Sequence, residues 1–177
     1  MNPIYKYGIV LRLVQEKDAE FILKLRTHAY LNRYISPTSD NIEDQINWIR
    51  DYKIRELEGL EFYFIAEDQE GNRCGTIRLY NFDEKSFEIG SWVFLPHSPA
   101  GMAIKAQFIG FETGFNYLKA DYCRLETRKK NHSVFRYIKN FNATIIREDD
   151  LNYYFVLTKE NFLIRKKKLS YFLNSGK

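Results

Sequence analysis

The stretch Ser91–Leu118, SWVFLPHSPAGMAIKAQFIGFETGFNYL, constrains the fold more than any other part of this chain. An apolar, strand-like run ends in the loop Ser98-Pro99-Ala100-Gly101-Met102-Ala103, and a helix opens on the glycine. Along that helix Ile104, Phe108, Phe111, Phe115 and Leu118 recur at alternating spacings of four and three, which places them on one face. Ala103, Ala106, Gly110 and Gly114 form a small-residue seam beside them, so the helix is expected to lie close against a sheet. At its start the first N–H groups have no earlier turn to bond to, and the helix dipole stands behind them. That arrangement suits a phosphate or pyrophosphate. The plain alternative is that Gly101 only permits a tight turn.

The flanking sequence says which sheet the helix meets. Gly8–Leu13 alternates as a strand, and Asp18 opens a helix with Phe21, Ile22, Leu25 and Ala29 on one face. Asp40 with Glu43 reads as a capping box, starting a helix through Ile42, Ile46 and Ile49 that Gly59 closes. Three runs rich in aromatic and β-branched residues follow: EFYFIAED, RCGTIRLYN and SFEIGSWVF. Turn-forming residues at Asp68–Asn72 and Asp83–Lys85 separate them, which predicts an antiparallel meander. After the long helix come a strand at Asp121–Thr127, a short helix at Asn131–Phe141 and a hairpin of TIIRE and NYYFVLT. The order β-α-α-β-β-β-α-β-α-β-β is an α+β fold: a mixed, mostly antiparallel central sheet of about seven strands, flanked by helices. Residues 1–158 read as a single domain and residues 159–177 as its basic C-terminal extension, which covers the domain, pairs with a second subunit or frays.

Composition narrows the function classes. With 177 residues, 45% of them hydrophobic, the chain can bury a core without disulfides or a metal. Cys74 and Cys123 sit in apolar runs without ligand spacing and read as buried thiols of a reduced, cytoplasmic protein. No leader pattern and no membrane-spanning run is seen. The net charge of +4 comes largely from Arg128–Lys130 and Arg165–Lys168, short runs that read as solvated faces or as attraction for an anionic ligand. So small an excess does not argue for nucleic acid. His28, His97 and His132 lie on separate elements, and no cluster points to a metal.

Four local patterns, spanning residues 8–158, resemble the GCN5-related N-acetyltransferase (GNAT) superfamily. They are Leu11–Arg26, with its strand and acid-capped helix; the loop Ser98-x-x-Gly101-x-Ala103; Glu126 followed by Asn131; and the helix from Asn131 to Ala143, where Asn142 stands for the usual glycine. The resemblance implies acetyl-CoA as cosubstrate, no metal, and direct transfer to a primary amine of a small molecule. The stretch from Glu88 to Asn152 looks most like bacterial enzymes acting on amino-sugar nucleotides, and less like polyamine and ribosomal-protein acetyltransferases. No nucleic-acid or membrane partner is implied, and a homodimer is one expectation. The alternative is a catalytically weak domain of the same fold that binds coenzyme A or a partner.

The resemblance also implies site residues. The coenzyme pyrophosphate would rest on Ser98, Ala100, Gly101, Met102, Ala103 and Ile104, with Lys105 nearby. Trp92, Val93 and Phe94 would face the pantetheine arm if the sheet splays there, and Asn131 would hold the arm or simply cap its helix. Glu126 is the first candidate for general base, or else a surface carboxylate beside Arg128, and Glu88 is the second. Two departures weaken the match: Ser98 stands for a long polar residue, and Ile138 stands where a tyrosine acid is usual. Tyr137, one residue earlier and about 100° around the helix, is the remaining candidate acid.

Overall fold

A computed structural model describes residues 1–175. Strand β1 (Ile4–Lys6) turns through Tyr7 and Gly8, both at positive φ (56° and 75°), into β2 (Ile9–Leu13). Two successive left-handed residues make a tight turn whose twist suits paired strands. This hairpin brings the strand count to eight, where the sequence reading has about seven. Helices α1 (Ala19–Thr27) and α2 (Ile42–Leu57) follow. The meander β3 (Phe62–Glu67), β4 (Arg73–Tyr80) and β5 (Ser86–Phe94) comes next. Then come α3 (Met102–Glu112), β6 (Tyr122–Arg128), α4 (His132–Lys139), β7 (Thr144–Glu148) and β8 (Asn152–Thr158). Helices α5 (Lys159–Lys168) and α6 (Ser170–Asn174) close the described residues.

The sheet runs β1-β2-β3-β4-β5-β6-β8-β7, and every neighbouring pair is antiparallel except β5 with β6. That parallel pair is bonded only at Ser86–Tyr122, Phe87–Cys123 and Glu88–Arg124. Beyond Glu88 the two strands have no ladder between them, so the sheet is split at its centre.

Strand alternation sends Tyr63 and Ile65 to one face, where Phe21, Ile22, Leu25, Ile49 and Tyr52 of α1 and α2 cover them. Phe62 and Phe64 go to the other face, under α3. There Phe108, Phe111, Phe115, Phe141 and Phe162 form a ring cluster, with centroids 5.2 Å apart for Phe115 and Phe162 and 5.7 Å for Phe108 and Phe162. The small-residue seam behaves as expected. A Cβ at Gly114 would overlap the Phe87 ring, and one at Gly110 would lie 3.0 Å from Ile77.

Two caps set the starts of α1 and α2. Buried Asp18 accepts the Gln15 N–H at 2.9 Å and both arms of Arg12 at 2.7 and 2.8 Å, which fixes the start of α1. The predicted Asp40–Glu43 box does not form. Asn41 is the cap instead, its side-chain oxygen taking the Glu43 N–H at 2.9 Å, while Ser39 binds Asp44. At the other end the C-terminal helices fold back onto the core, burying Phe162 and Leu173. Residues 176 and 177 of the predicted extension lie outside the described residues.

Candidate active site

Where β5 and β6 part, a cleft of about 540 Å³ opens. Its walls are Gly90–Phe94 of β5, Leu125–Arg128 of β6, Gln107 of α3, and Asn131, Val134 and Ile138 at α4. A bulge in β5 shapes the near wall: Arg78 pairs with Gly90 and Thr76 with Val93, so Ser91 and Trp92 together oppose Ile77. Ser91 sits at φ 46°, a left-handed conformation that a non-glycine residue holds only at a cost. Its carbonyl accepts the Thr76 hydroxyl at 2.7 Å. A second pocket of about 330 Å³, lined by Ile22, Arg26, Thr38, Trp48, Tyr63 and others, shares Arg26, Arg78 and Ser91 with the cleft.

The cleft carries unmet polar capacity. Gln107 Oε1 and Thr127 Oγ1 are buried without a hydrogen-bond partner among the described residues, and both residues line it. Such atoms are costly unless a ligand or water satisfies them. In the loop before α3, which does not line the cleft, Gly101 takes φ 77°. The Met102 N–H returns to the Pro99 carbonyl, but among the described residues no backbone carbonyl accepts from Ala100, Gly101, Ala103 or Ile104. These donors form an anion cradle at the positive end of the helix. A Cβ at Gly101 would come 2.6 Å from the Phe172 ring of α6, so the glycine also lets the chain end pack beneath the loop.

The family model for the acetyltransferase (GNAT) domain matches residues 9–144. The chain belongs to the GNAT family of acetyltransferases. Among solved structures, apo FdhC, a nucleotide-linked sugar GNAT, is 37% identical and superposes with a TM-score of 0.88, covering 97% of this chain and 98% of that one. The ribosomal-protein-S5-alanine acetyltransferase of Vibrio fischeri is 14% identical, with a TM-score of 0.76 over 92% of this chain and 99% of that one. Spermidine N-acetyltransferase of Vibrio cholerae, solved with CoA and spermine, is 16% identical, with a TM-score of 0.74 over 88% and 98%. A comparison with curated proteins finds no match.

Within this GNAT cleft the structure brings many of the predicted residues together. Trp92, Val93, Phe94, Asn131 and Glu126 line it, while Ala100 and Met102 line a separate pocket beside Gly8 and Asp68. Trp92 Nε1 donates to the Ala103 carbonyl at 2.8 Å, tying β5 to the first turn of α3. Asn131 caps α4 by accepting the Val134 N–H at 3.3 Å, and it faces the cleft as well. Desolvation pushes the Glu126 carboxyl above its usual range; Arg128 opposes the rise and Glu88 adds to it.

Other predicted residues are placed elsewhere. Glu88 sits at the last paired rung, accepting from Arg124 Nε and Asn81 Nδ2 at 3.1 Å each, and does not line the cleft. Ser98 Oγ donates to the Cys74 carbonyl at 3.0 Å and straps the loop to β4. Lys105 Nζ donates to the Ser175 carbonyl at 2.8 Å rather than standing free beside the cradle. Tyr137 is absent from the cleft wall. Its ring stacks on Trp92 at 5.4 Å and its buried hydroxyl has no partner among the described residues; burial pushes its pKa well up. Ile138 takes the cleft-facing position.

The sequence reading missed Gln107, Thr127, Arg26 and Arg78. The first two left a signal: Gln107 interrupts an otherwise apolar stretch of α3, and Thr127 puts a hydroxyl on the inward side of β6. The two arginines left none, because residues distant in sequence, Ser36 and Thr38 for Arg26 and Glu61 for Arg78, decide what they face. Among the described residues no group of His, Cys, Asp and Glu is arranged to hold a metal, and no helix is long and apolar enough to cross a membrane.

Proposed function

We propose that this GNAT protein moves an acetyl group from acetyl-CoA directly onto the primary amine of a nucleotide-linked amino sugar. The observation that carries the acceptor class is the 37% identity, over almost the whole of both chains, with a nucleotide-linked sugar GNAT. The coenzyme fits the residues present: the cradle offers free N–H groups, the cleft edge of β5 has no strand partner, and Gln107 and Thr127 bring buried polar atoms without partners.

Acetyl-CoA supplies an activated thioester. The N–H groups of Ala100, Gly101, Ala103 and Ile104 would hold its pyrophosphate, and Pro99 contributes none. The open edge of β5 around Trp92–Phe94, with Gln107 and Thr127, would hold the pantetheine amides. Glu126 takes a proton from the acceptor ammonium, directly or through one water. A carboxyl raised above its usual range is better matched to that task near neutral pH. Helix α4 presents Ile138 rather than a phenol, so the chain supplies no acid from that helix and solvent does.

Thiol release with acetyl-CoA against nucleotide-linked amino sugars, free amino sugars, spermidine and N-terminal peptides tests this reading. Turnover should be fastest with the nucleotide-linked substrates. Turnover with spermidine or peptides alone would refute the acceptor class, and no thermal stabilisation by saturating CoA would refute the coenzyme.

A further inference from the structure

The cleft and the smaller pocket meet at Arg26, Arg78 and Ser91, and the two guanidinium groups there are not equivalent. Arg78 is neutralised. Its Nε donates to Glu61 at 2.8 Å, its Nη2 binds the same carboxylate, and its plane lies 5.0 Å from the Trp48 ring and 4.7 Å from the Tyr80 ring. Arg26 has no such partner. Its Nε donates to Thr38 Oγ1 at 2.6 Å and its Nη2 to the Ser36 carbonyl at 3.3 Å, which fixes it on the loop between α1 and α2. Among the described residues no carboxylate lies within ion-pair distance of it.

The carboxylates that share these pockets with Arg26 are Asp44, which takes the Ser39 hydroxyl at 2.7 Å, and Glu126 on β6. A half-buried guanidinium with donors to spare and no counter-ion is expensive for a fold to keep. It is the kind of group that waits for an anion, and its planar fork matches phosphate oxygens in pairs. The cleft edge beside it, Leu31–Ser36, carries a second feature. Tyr30 and Tyr34 are exposed around Arg33, whose guanidinium lies 4.1 and 5.6 Å from their rings.

We infer that Arg26 is the specificity-determining residue of the acceptor site: it pairs with the diphosphate of the nucleotide-linked amino sugar, whose nucleoside lies on the Tyr30–Tyr34 aromatic edge. This rests on the acceptor class proposed above and assigns its recognition to particular atoms. The sugar amine then points into the cleft toward Glu126, since Arg26 and Glu126 line the same space. The same cation rejects polyamines, which would bring like charge to an uncompensated guanidinium.

Isothermal titration of UDP and dTDP into wild-type protein, Arg26→Gln and Arg26→Lys tests the assignment. The protein is first saturated with CoA, so that the cradle at Gly101 is filled. Binding to Arg26→Gln should weaken about ten- to a hundredfold, the loss typical of a charged hydrogen-bond partner. Arg26→Lys, which keeps charge without the fork, should fall between, and wild-type affinity should drop as salt rises. Because Arg26 also holds the 36–38 loop, thermal melts accompany each variant; if the Gln variant does not fold, the Lys variant and the salt dependence carry the test. Where the free diphosphates bind too weakly to measure, KM for the nucleotide-linked amino sugar replaces the binding constant. Equal binding or equal KM in wild type and variants would overturn the role of Arg26 while leaving the acceptor class standing. Turnover of spermidine with none of nucleotide-linked substrates would overturn both.

Discussion

The two walls of the cleft are built by different means. The wall proposed for the coenzyme, β5 and α3, consists of regular elements seated on phenylalanine rings, and what it offers a ligand is mostly backbone. The one acidic residue of α3, Glu112, lies at the far end of the helix, where Lys6, Lys166 and Tyr7 hold it. The side proposed for the acceptor, α1 and the loop after it with α2 behind them in the adjoining pocket, is held by charge. Arg12 grips buried Asp18 at the start of α1, and buried Glu61 joins Arg55 of α2 to Arg78 of β4. What that wall offers is side chains. A wall of backbone binds the same coenzyme whatever side chains surround it, whereas a wall of side chains can be rewritten for a new acceptor.

The largest expected effect falls on the charge-held wall. Asp18→Ala takes from Arg12 its two-armed partner and leaves it only Glu67, at 2.7 Å; it should destabilise the protein by about 3 kcal/mol, the low end for removal of one member of a buried pair. Chemical denaturation measures this directly. Burial alone would raise the Asp18 carboxyl, but hydrogen bonds from Arg12 and the Gln15 N–H hold it below its usual range. Its stabilisation is therefore fully present above the unfolded carboxylate pKa, about 3.9, and is lost as pH falls through the lower folded value. Asp18→Asn should lack this part of the acid transition; an unchanged acid limb would break the contrast between the walls.

Next comes Glu126 of β6, the proposed base, which lines the same cleft. Glu126→Gln should lower kcat by about a hundredfold, within the range for loss of a general base, and leave CoA affinity intact. In wild type kcat/KM should rise with pH through the raised Glu126 pKa, and the variant should lose that limb. An unchanged rate across pH would remove Glu126 as the base. Smaller still, Gly101→Ala should raise KM for acetyl-CoA about tenfold, through both the φ of 77° and the Phe172 ring. Adding Phe172→Ala should recover only the steric part, and an equal rise in acceptor KM would show that the walls are not independent. The smallest change is Trp92→Phe, which drops one hydrogen bond to the Ala103 carbonyl. It should raise coenzyme KM a few-fold, given about 1 kcal/mol for such a bond.

The contrast between the walls also explains what could be read from the chain beforehand. Periodicity exposes regular elements, so α3, its seam of small residues, the meander and the strand at Asp121–Thr127 were legible. The Tyr7–Gly8 turn was overlooked because β1 is short and half exposed, although Gly8 before an alternating run was a usable sign. Asp40 was a fair cap by spacing, but Asn41 takes the Glu43 N–H, and Ser39 holds it there by accepting the Asn41 N–H while donating to Asp44. Arg26 and Arg78 face the cleft only because distant segments, Ser36–Thr38 and Glu61, hold them there, and no local pattern encodes that. Tyr137 shows the same limit: one step of 100° separates a residue on the cleft from one stacked behind Trp92.

The short seam between β5 and β6 has a mechanical consequence. Five strands on one side and three on the other are joined by a few rungs, so two bare strand edges confront each other in the middle of the molecule. At the rim of a sheet such edges invite other chains to add on. Here they are sunk between α1, α3 and α4, where a slender flexible arm can lie but a second folded sheet cannot. The inner edges are thereby closed to another sheet and open to a ligand, and the proposed coenzyme arm would lie between them as a bridging strand.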